Sequence, residues 1–187
     1  VGAPAADVET GIGDATRMLK EGRILEAYKS LKRSIDALAP MVHLTVLRSA
    51  LVKDDPGGTG LYQPRPSNRF APGERILIYG DVVGFSTRVE EGRNKLSLTF
   101  DYVLTGPDGE ILAGKRGFGA WEQESLNPIT ETYFYLAYDF TGLTSGIYDI
   151  ETVVRDAVSG EETSLVVPIE IVAAPVGEGA TGKGREK

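Results

Sequence analysis

The chain has 187 residues, 41% of them hydrophobic, no cysteine and a formal net charge of −7. That length holds one good-sized domain, or a domain with a small companion, and the apolar share is enough for a core. The missing cysteines exclude disulfides, thiolate nucleophiles and Cys-rich zinc sites. The acid surplus, 19 Asp/Glu against 12 Lys/Arg over residues 56–187, argues against nucleic acid and against an anionic membrane surface as partners.

The first residues, Val1-Gly2-Ala3-Pro4-Ala5-Ala6, are small ones of the kind that follow a removed signal peptide, although a trimmed chain would look the same. Residues 1–12 read as a flexible lead. Asp14 is placed to cap a first helix carrying Ala15, Met18 and Leu19, and Gly22 breaks it. A second helix is expected from Ile24 to Leu38. Its apolar stripe is Ile24, Ala27, Tyr28, Leu31, Ile35 and Leu38, and Pro40 ends it. Residues 13–40 thus form a helical hairpin. Gly22, Ala27, Leu31 and Pro40 resemble a tetratricopeptide repeat unit, but no second copy follows, and one repeat has no neighbour on which to bury its face. The hairpin therefore either packs on the rest of the chain or serves as a protein-docking helix pair.

Residues 41–172 read as a β-sandwich. Met41 to Val52 is the first strand, and Asp54-Asp55-Pro56-Gly57-Gly58 is a turn. A proline-rich irregular segment, Thr59 to Gly73, follows. Strands are then expected at Arg75–Val83, Lys95–Thr105, Glu110–Arg116, Thr130–Phe140, Gly146–Asp156 and Thr163–Val172. Leu96, Leu98, Phe100, Tyr102 and Leu104 occupy alternate positions, as do Thr132, Phe134, Leu136, Tyr138 and Phe140. Period two puts each set on one buried face. Pro168 marks an edge or a bulge. Residues 173–187 are Gly-rich and polar, and read as a disordered tail. No segment is long and apolar enough to span a bilayer.

Leu143, Gly146 and Tyr148, leading into Val154-Arg155-Asp156 and the turn at Ser159-Gly160, resemble the closing strands of bacterial immunoglobulin-like and fibronectin-III-like domains. The resemblance implies a sandwich and says almost nothing about activity. The cysteine pair of antibody domains is absent. The expected fold class is α+β: an N-terminal helical hairpin packed on an antiparallel immunoglobulin-like β-sandwich.

Few residues are left for chemistry. The one histidine, His43, lies in an apolar run and reads as structural. No serine sits in a Gly-x-Ser-x-Gly motif, and Gly57-Gly58-Thr59-Gly60 lacks the lysine and helix of a phosphate loop. Glu122, Glu124 and Glu131 fall near Trp121, which leaves a weak hydrolase alternative, and Asp101 and Asp139 alternate away from the core. No calcium-loop pattern is present. No catalytic residue, metal ligand or cofactor is assigned.

Two features remain as candidate binding residues. Tyr62, Arg65, Asn68 and Arg69 lie on a loop stiffened by prolines, which suits capture of carboxylates, sugars or peptides. The same loop reads equally as a strap pinned to the sheet by Tyr62 and Phe70. Tyr79, Tyr133 and Tyr135, with Phe118 and Trp121 on a nearby Gly-rich strand, form an aromatic set out of phase with the core. Either the N-terminal helices cover it, which is the preferred reading, or it binds something. The functional expectation is a non-catalytic protein-interaction or structural module of the bacterial cell envelope, periplasmic or secreted, with another envelope protein as partner. The alternative is a carbohydrate-binding module that takes a glycan on its exposed aromatics.

Overall fold

The computed structural model describes residues 3–173. Ala3–Lys20 form helix α1 and Ile24–Leu38 form helix α2, and the two run antiparallel. Helix α1 begins at Ala3, so residues 3–12 of the expected flexible lead are helical. Ala3, Ala5 and Ala6 are strong helix formers. Gly11, which reads as a weakness in isolation, is where α2 comes closest. A Cβ there would stand 2.1 Å from Ser34 Oγ. Ser30 Oγ donates to the Gly11 carbonyl at 3.1 Å, and Ala15, Ala27, Ser30 and Ser34 are buried in the seam.

After a 3-10 turn at Ala39–Met41 the described residues form nine strands: β1 (Thr45–Val52), β2 (Arg69–Phe70), β3 (Ile76–Val83), β4 (Arg88–Glu90), β5 (Arg93–Thr105), β6 (Ile111–Ser125), β7 (Glu131–Tyr138), β8 (Gly146–Asp156) and β9 (Glu162–Ile171). One sheet has the order β1-β3-β7. The other has the order β2-β9-β8-β5-β4, and β6 also pairs with β5. All pairings are antiparallel except β2 with β9. The fold is α+β, as expected.

The alternating residues face one another between the sheets. Ile78, Leu98, Phe134, Ile150, Val154 and Ile169 have no exposed surface, and each contributes about 1.5–3 kcal/mol by leaving water. Tyr138 on β7 and Thr152 on β8 join the two layers by a buried hydroxyl pair at 2.7 Å. Burial pushes the Tyr138 phenol well above its ordinary range. At the entry to β8 the Tyr148 hydroxyl donates to the Thr144 carbonyl at 2.8 Å and pins the corner.

Two boundaries differ from the sequence reading. Strand β1 starts at Thr45 because Pro40 opens a 3-10 turn first. Strand β6 continues past Arg116 to Ser125 through an irregularity opposite Phe100–Tyr102, where Asp101 Oδ1 accepts the Gly117 N–H at 2.7 Å. That continuation carries Trp121 across to the edge of β7. The expected tail lies, from residue 174 onward, outside the described residues. No described helix is long and apolar enough to cross a membrane.

Candidate functional site

The outer face of β3 and β7 carries the out-of-phase aromatics. Tyr79 stands opposite Tyr135, and Asp81 opposite Tyr133. The expectation that the helices cover this face is not met. The loop after β1 covers it instead. Lys53 N–H donates to Gln63 O at 3.0 Å and Arg65 N–H to Leu51 O at 2.8 Å, so the returning chain runs back along β1 and lays the Tyr62 ring 4.3 Å from that of Tyr79. Nine residues of connecting chain, 53–61, next to a strand reach its outer face more cheaply than a distant helix pair does.

Tyr79 is fully buried under this strap. Its hydroxyl accepts the Gly60 N–H at 2.8 Å and donates to Asp81 Oδ1. Burial first, then the Asp81 carboxylate, pushes the phenol up to about 12. Tyr62→Ala is expected to open this cover. It should lower stability by about 2 kcal/mol, and the Tyr79 phenol should titrate nearer the ordinary value of about 10. Alkaline difference absorbance against Tyr79→Phe reads both states. An unmoved titration would show that Tyr62 is not the cover.

The structure places the candidate residues in two groups. Tyr62 and Tyr133 flank Tyr79, Trp121 joins through Tyr133 and Tyr135 through Trp121, making one aromatic cluster. Trp121 lies 4.8 Å from Tyr133 at 59° and 6.3 Å from Tyr135 at 67°. These rings turn edges and faces toward one another, and all four side chains are half-buried. Phe118 does not share the cluster: its ring stacks on Tyr138 at 5.0 Å, against the sandwich core. The Trp121 Nε1–H is shielded from solvent and finds no acceptor among the described residues. Beside the strap lies an open cleft of about 420 Å³, lined by Asp54, Asp55, Gly60, Leu61, Tyr62 and Gln63.

Arg65, Asn68 and Arg69 take other partners. Arg65 lies over the Phe70 ring at 4.1 Å, pairs with Glu74 at 2.7 Å and donates to the Arg69 carbonyl at 2.8 Å. Asn68 Nδ2 donates to the Pro168 carbonyl at 3.2 Å, and Arg69 pairs with Glu170 at 3.3 Å. Asn68 and Arg69 thus hold the loop to β9, and Arg65 ties it to itself, although its Nε is buried without a partner among the described residues.

Glu122 and Glu124 line a cleft of about 360 Å³ together with Glu90, where Lys95 pairs with Glu124 at 3.2 Å and with Glu90 at 3.1 Å. Asp101 lies elsewhere, its Oδ2 paired with Arg155 at 3.4 Å. His43 is 91% exposed and meets Glu161 at 3.3 Å. The Leu44 N–H, then His43, hold the Glu161 carboxyl below its ordinary range. Among the described residues no group of three or more His, Cys, Asp or Glu is placed to hold a metal ion.

The most exposed apolar surface lies on the hairpin. In an antiparallel helix pair, the residue following each contact position turns to the same side of the pair on both helices. After Gly11 comes Ile12 and after Met18 comes Leu19. After Ala27, Ser30 and Ser34 come Tyr28, Leu31 and Ile35. Ile24 and Leu38 extend the α2 row at the same spacing. These seven apolar side chains are 40–64% exposed. By the same rule Glu9, after Val8, and Thr16, after Ala15, are polar members of the α1 row. The residues preceding the contact positions, among them Thr10, Asp14, Glu26, Lys29 and Arg33, are polar and sit on the opposite side. The hairpin meets the sandwich at the α2 end, where Ile35, Leu38, Leu47, Val83 and Thr130 line a shallow cleft of about 320 Å³. Sequence reasoning assigned the stripe to intramolecular cover. The small residues Ala27, Ser30 and Ser34 beside it were the signal that α1 packs on a different face.

No family model matches the chain, and no curated protein matches it. Among solved structures, the alkylpurine DNA glycosylase AlkC of Pseudomonas fluorescens, bound to DNA containing an abasic site analog, is similar at 15% identity and TM-score 0.40, over 83% of this chain and 40% of that one. A family 123 glycoside hydrolase from Clostridium perfringens is similar at 8% identity and TM-score 0.37, over 57% of this chain and 23% of that one. A CARDB domain from Pyrococcus furiosus, in complex with di-metal ions, is similar at 11% identity and TM-score 0.31, over 70% of this chain and 93% of that one. This chain spans less than half the length of the first two. Likenesses this weak carry no inference about substrate, partner or activity.

Proposed function

We propose that this chain is a non-catalytic protein-interaction module of the bacterial cell envelope, in which an immunoglobulin-like sandwich holds a helical hairpin for docking. The observation that carries this reading is the apolar face of the hairpin, seven large side chains open to water on two adjacent helices. A patch of that extent marks an interaction site on a folded protein. The Tyr148–Thr144 hydrogen bond, of the tyrosine-corner kind, supports the immunoglobulin-like reading of the β part. The pairing of Glu90 and Glu124 with Lys95 and of Asp101 with Arg155, and the exposed His43, support a scaffold role. Docking falls on the hairpin more than on Tyr62, Arg65 or Arg69, because those three are engaged in holding the strap. A glycan would need an open aromatic platform, and Trp121, Tyr133 and Tyr135 turn toward one another instead.

The test is a photo-reactive amino acid placed at Tyr28 in living cells, with the same group at Arg33 on the polar side as control. A discrete protein adduct is expected from position 28 and none from position 33. Equal labelling from both, or none from either, would dismiss hairpin docking. Fractionation of the same cells should place the chain outside the cytoplasm, and recovery in the cytosol would remove the envelope assignment.

A further inference from the structure

We infer that the occupant of the hairpin face is a second copy of this chain, the two hairpins packing face to face as a four-helix layer. This rests on the docking reading above and names its partner. On α2, Ile24, Tyr28, Leu31, Ile35 and Leu38 follow a 4-3-4-3 spacing, the seam of helices that pack on other helices. Helix α1 does not fill that seam. It lies against the small residues Ala27, Ser30 and Ser34 instead.

The seam is close to symmetric about Leu31, with Ile24 and Leu38 seven residues to either side. A two-fold axis through Leu31 sets Ile24 against the partner subunit's Leu38 and Leu31 against the partner subunit's Leu31. Such self-complementarity is what an isologous contact requires.

Charge agrees. Residues 3–41 carry six Lys/Arg and six Asp/Glu, so two hairpins meet without net repulsion although the whole chain is at −7. Lys32, which flanks the seam, is already paired with Asp36 at 3.0 Å. Area agrees too. Seven half-exposed side chains amount to roughly 600 Å² a protomer, and Leu25 at the margin brings the contact near the ~800 Å² per partner of a standard interface. Residues 174–187 contain a single large apolar residue, Val176, and are poorly suited to fill the seam.

Sedimentation velocity of the full chain over about 1–100 µM should show a species of twice the 20.1 kDa monomer mass, with micromolar dissociation. Leu31→Glu puts two carboxylates at the dyad and should weaken association at least about a hundredfold. Leu31 faces water in the single chain, so the variant should keep the wild-type circular dichroism, and its melting temperature should match the wild type's at concentrations where both are monomeric. Tyr28→Lys, at a more exposed position, is the second variant and should also dissociate the dimer. Arg33→Ala, on the polar side, should leave it intact.

A wild-type monomer throughout the range would overturn the proposal, whether or not the chain then binds lipid vesicles. A dimer indifferent to both Leu31→Glu and Tyr28→Lys would overturn it equally. A monomer that still gives an adduct with a different protein from position 28 removes the self-pairing and keeps the docking reading. A monomer with no adduct removes both.

Discussion

Asp156→Ala should lower the stability of the sandwich by about 3 kcal/mol, read as a fall in the urea midpoint at unchanged slope. Asp156 ends β8 with no exposed surface. Its Oδ2 accepts the Ser86 N–H and the Ser159 hydroxyl, both at 2.7 Å, and its Oδ1 accepts the Val158 N–H at 2.8 Å. The carboxylate therefore ties the β8–β9 turn to the loop after β3. Removing it leaves donors without acceptors in a buried place, which costs more than the bonds themselves contribute. Burial alone would raise its pKa, but the hydrogen bonds from Ser159, Ser86 and Val158 outweigh it and hold the carboxyl below the ordinary aspartate range. The folded state thus prefers the ionised form. This contribution is fully present above the unfolded aspartate value of about 3.9, and it is lost as pH falls through the lower folded value. In Asp156→Asn the stability should change less steeply across that acid window. An identical acid slope in the two proteins would show that Asp156 is not the group responsible.

Gly84→Ala should cost about 3 kcal/mol or more, by urea or thermal unfolding. Gly84 follows β3 with φ at +74°, a conformation that already disfavours a side chain. An added Cβ would also stand 2.2 Å from the His43 carbonyl oxygen and 2.7 Å from that of Val42. Those are backbone atoms of the segment that links the hairpin to β1, and they cannot rotate away. The substitution must shift that segment, so a second signature is expected. The His43–Glu161 contact and the Leu44 N–H bond to Glu161 should both loosen, and His43 should lose its nuclear Overhauser contacts with Glu161. A loss of stability under 1 kcal/mol, the size of an ordinary surface change, would mean the backbone approach is looser than described.

The strands with the clearest alternation were legible from residue order. On β5, β7, β8 and β9 the apolar positions recur every second residue, and the structure buries Leu98, Phe134, Ile150 and Ile169 as that pattern requires. The rule is local: once one face is buried, the geometry of a strand decides the rest. A Gly-rich strand carrying Phe118 and Trp121 was legible, but its continuity with the strand before it was not. Gly117 and Gly119 look like breakers, and only Asp101 on the neighbouring strand shows that an irregularity, and not an end, lies there. The strap was half legible. Tyr62 and Phe70 suggested pinning, whereas the pairing of Arg65 with Glu74 and Phe70 depends on how the loop closes.

The sequence by itself determined that this chain makes a cysteine-free two-sheet core behind a pair of amphipathic helices, because period and side-chain size act within a few residues. Only the tertiary structure decided which apolar surfaces meet. Two candidates could cover the Tyr79 face, the helical stripe and the loop after β1. The loop won because it is tethered beside the sheet and carries Tyr62 at the right height. The helices met each other through Gly11, Ala27, Ser30 and Ser34, where small residues let backbones approach, and that choice left Leu31 and its neighbours facing water. Pairing between surfaces far apart in the chain is a competition among closures, and no local pattern ranks them.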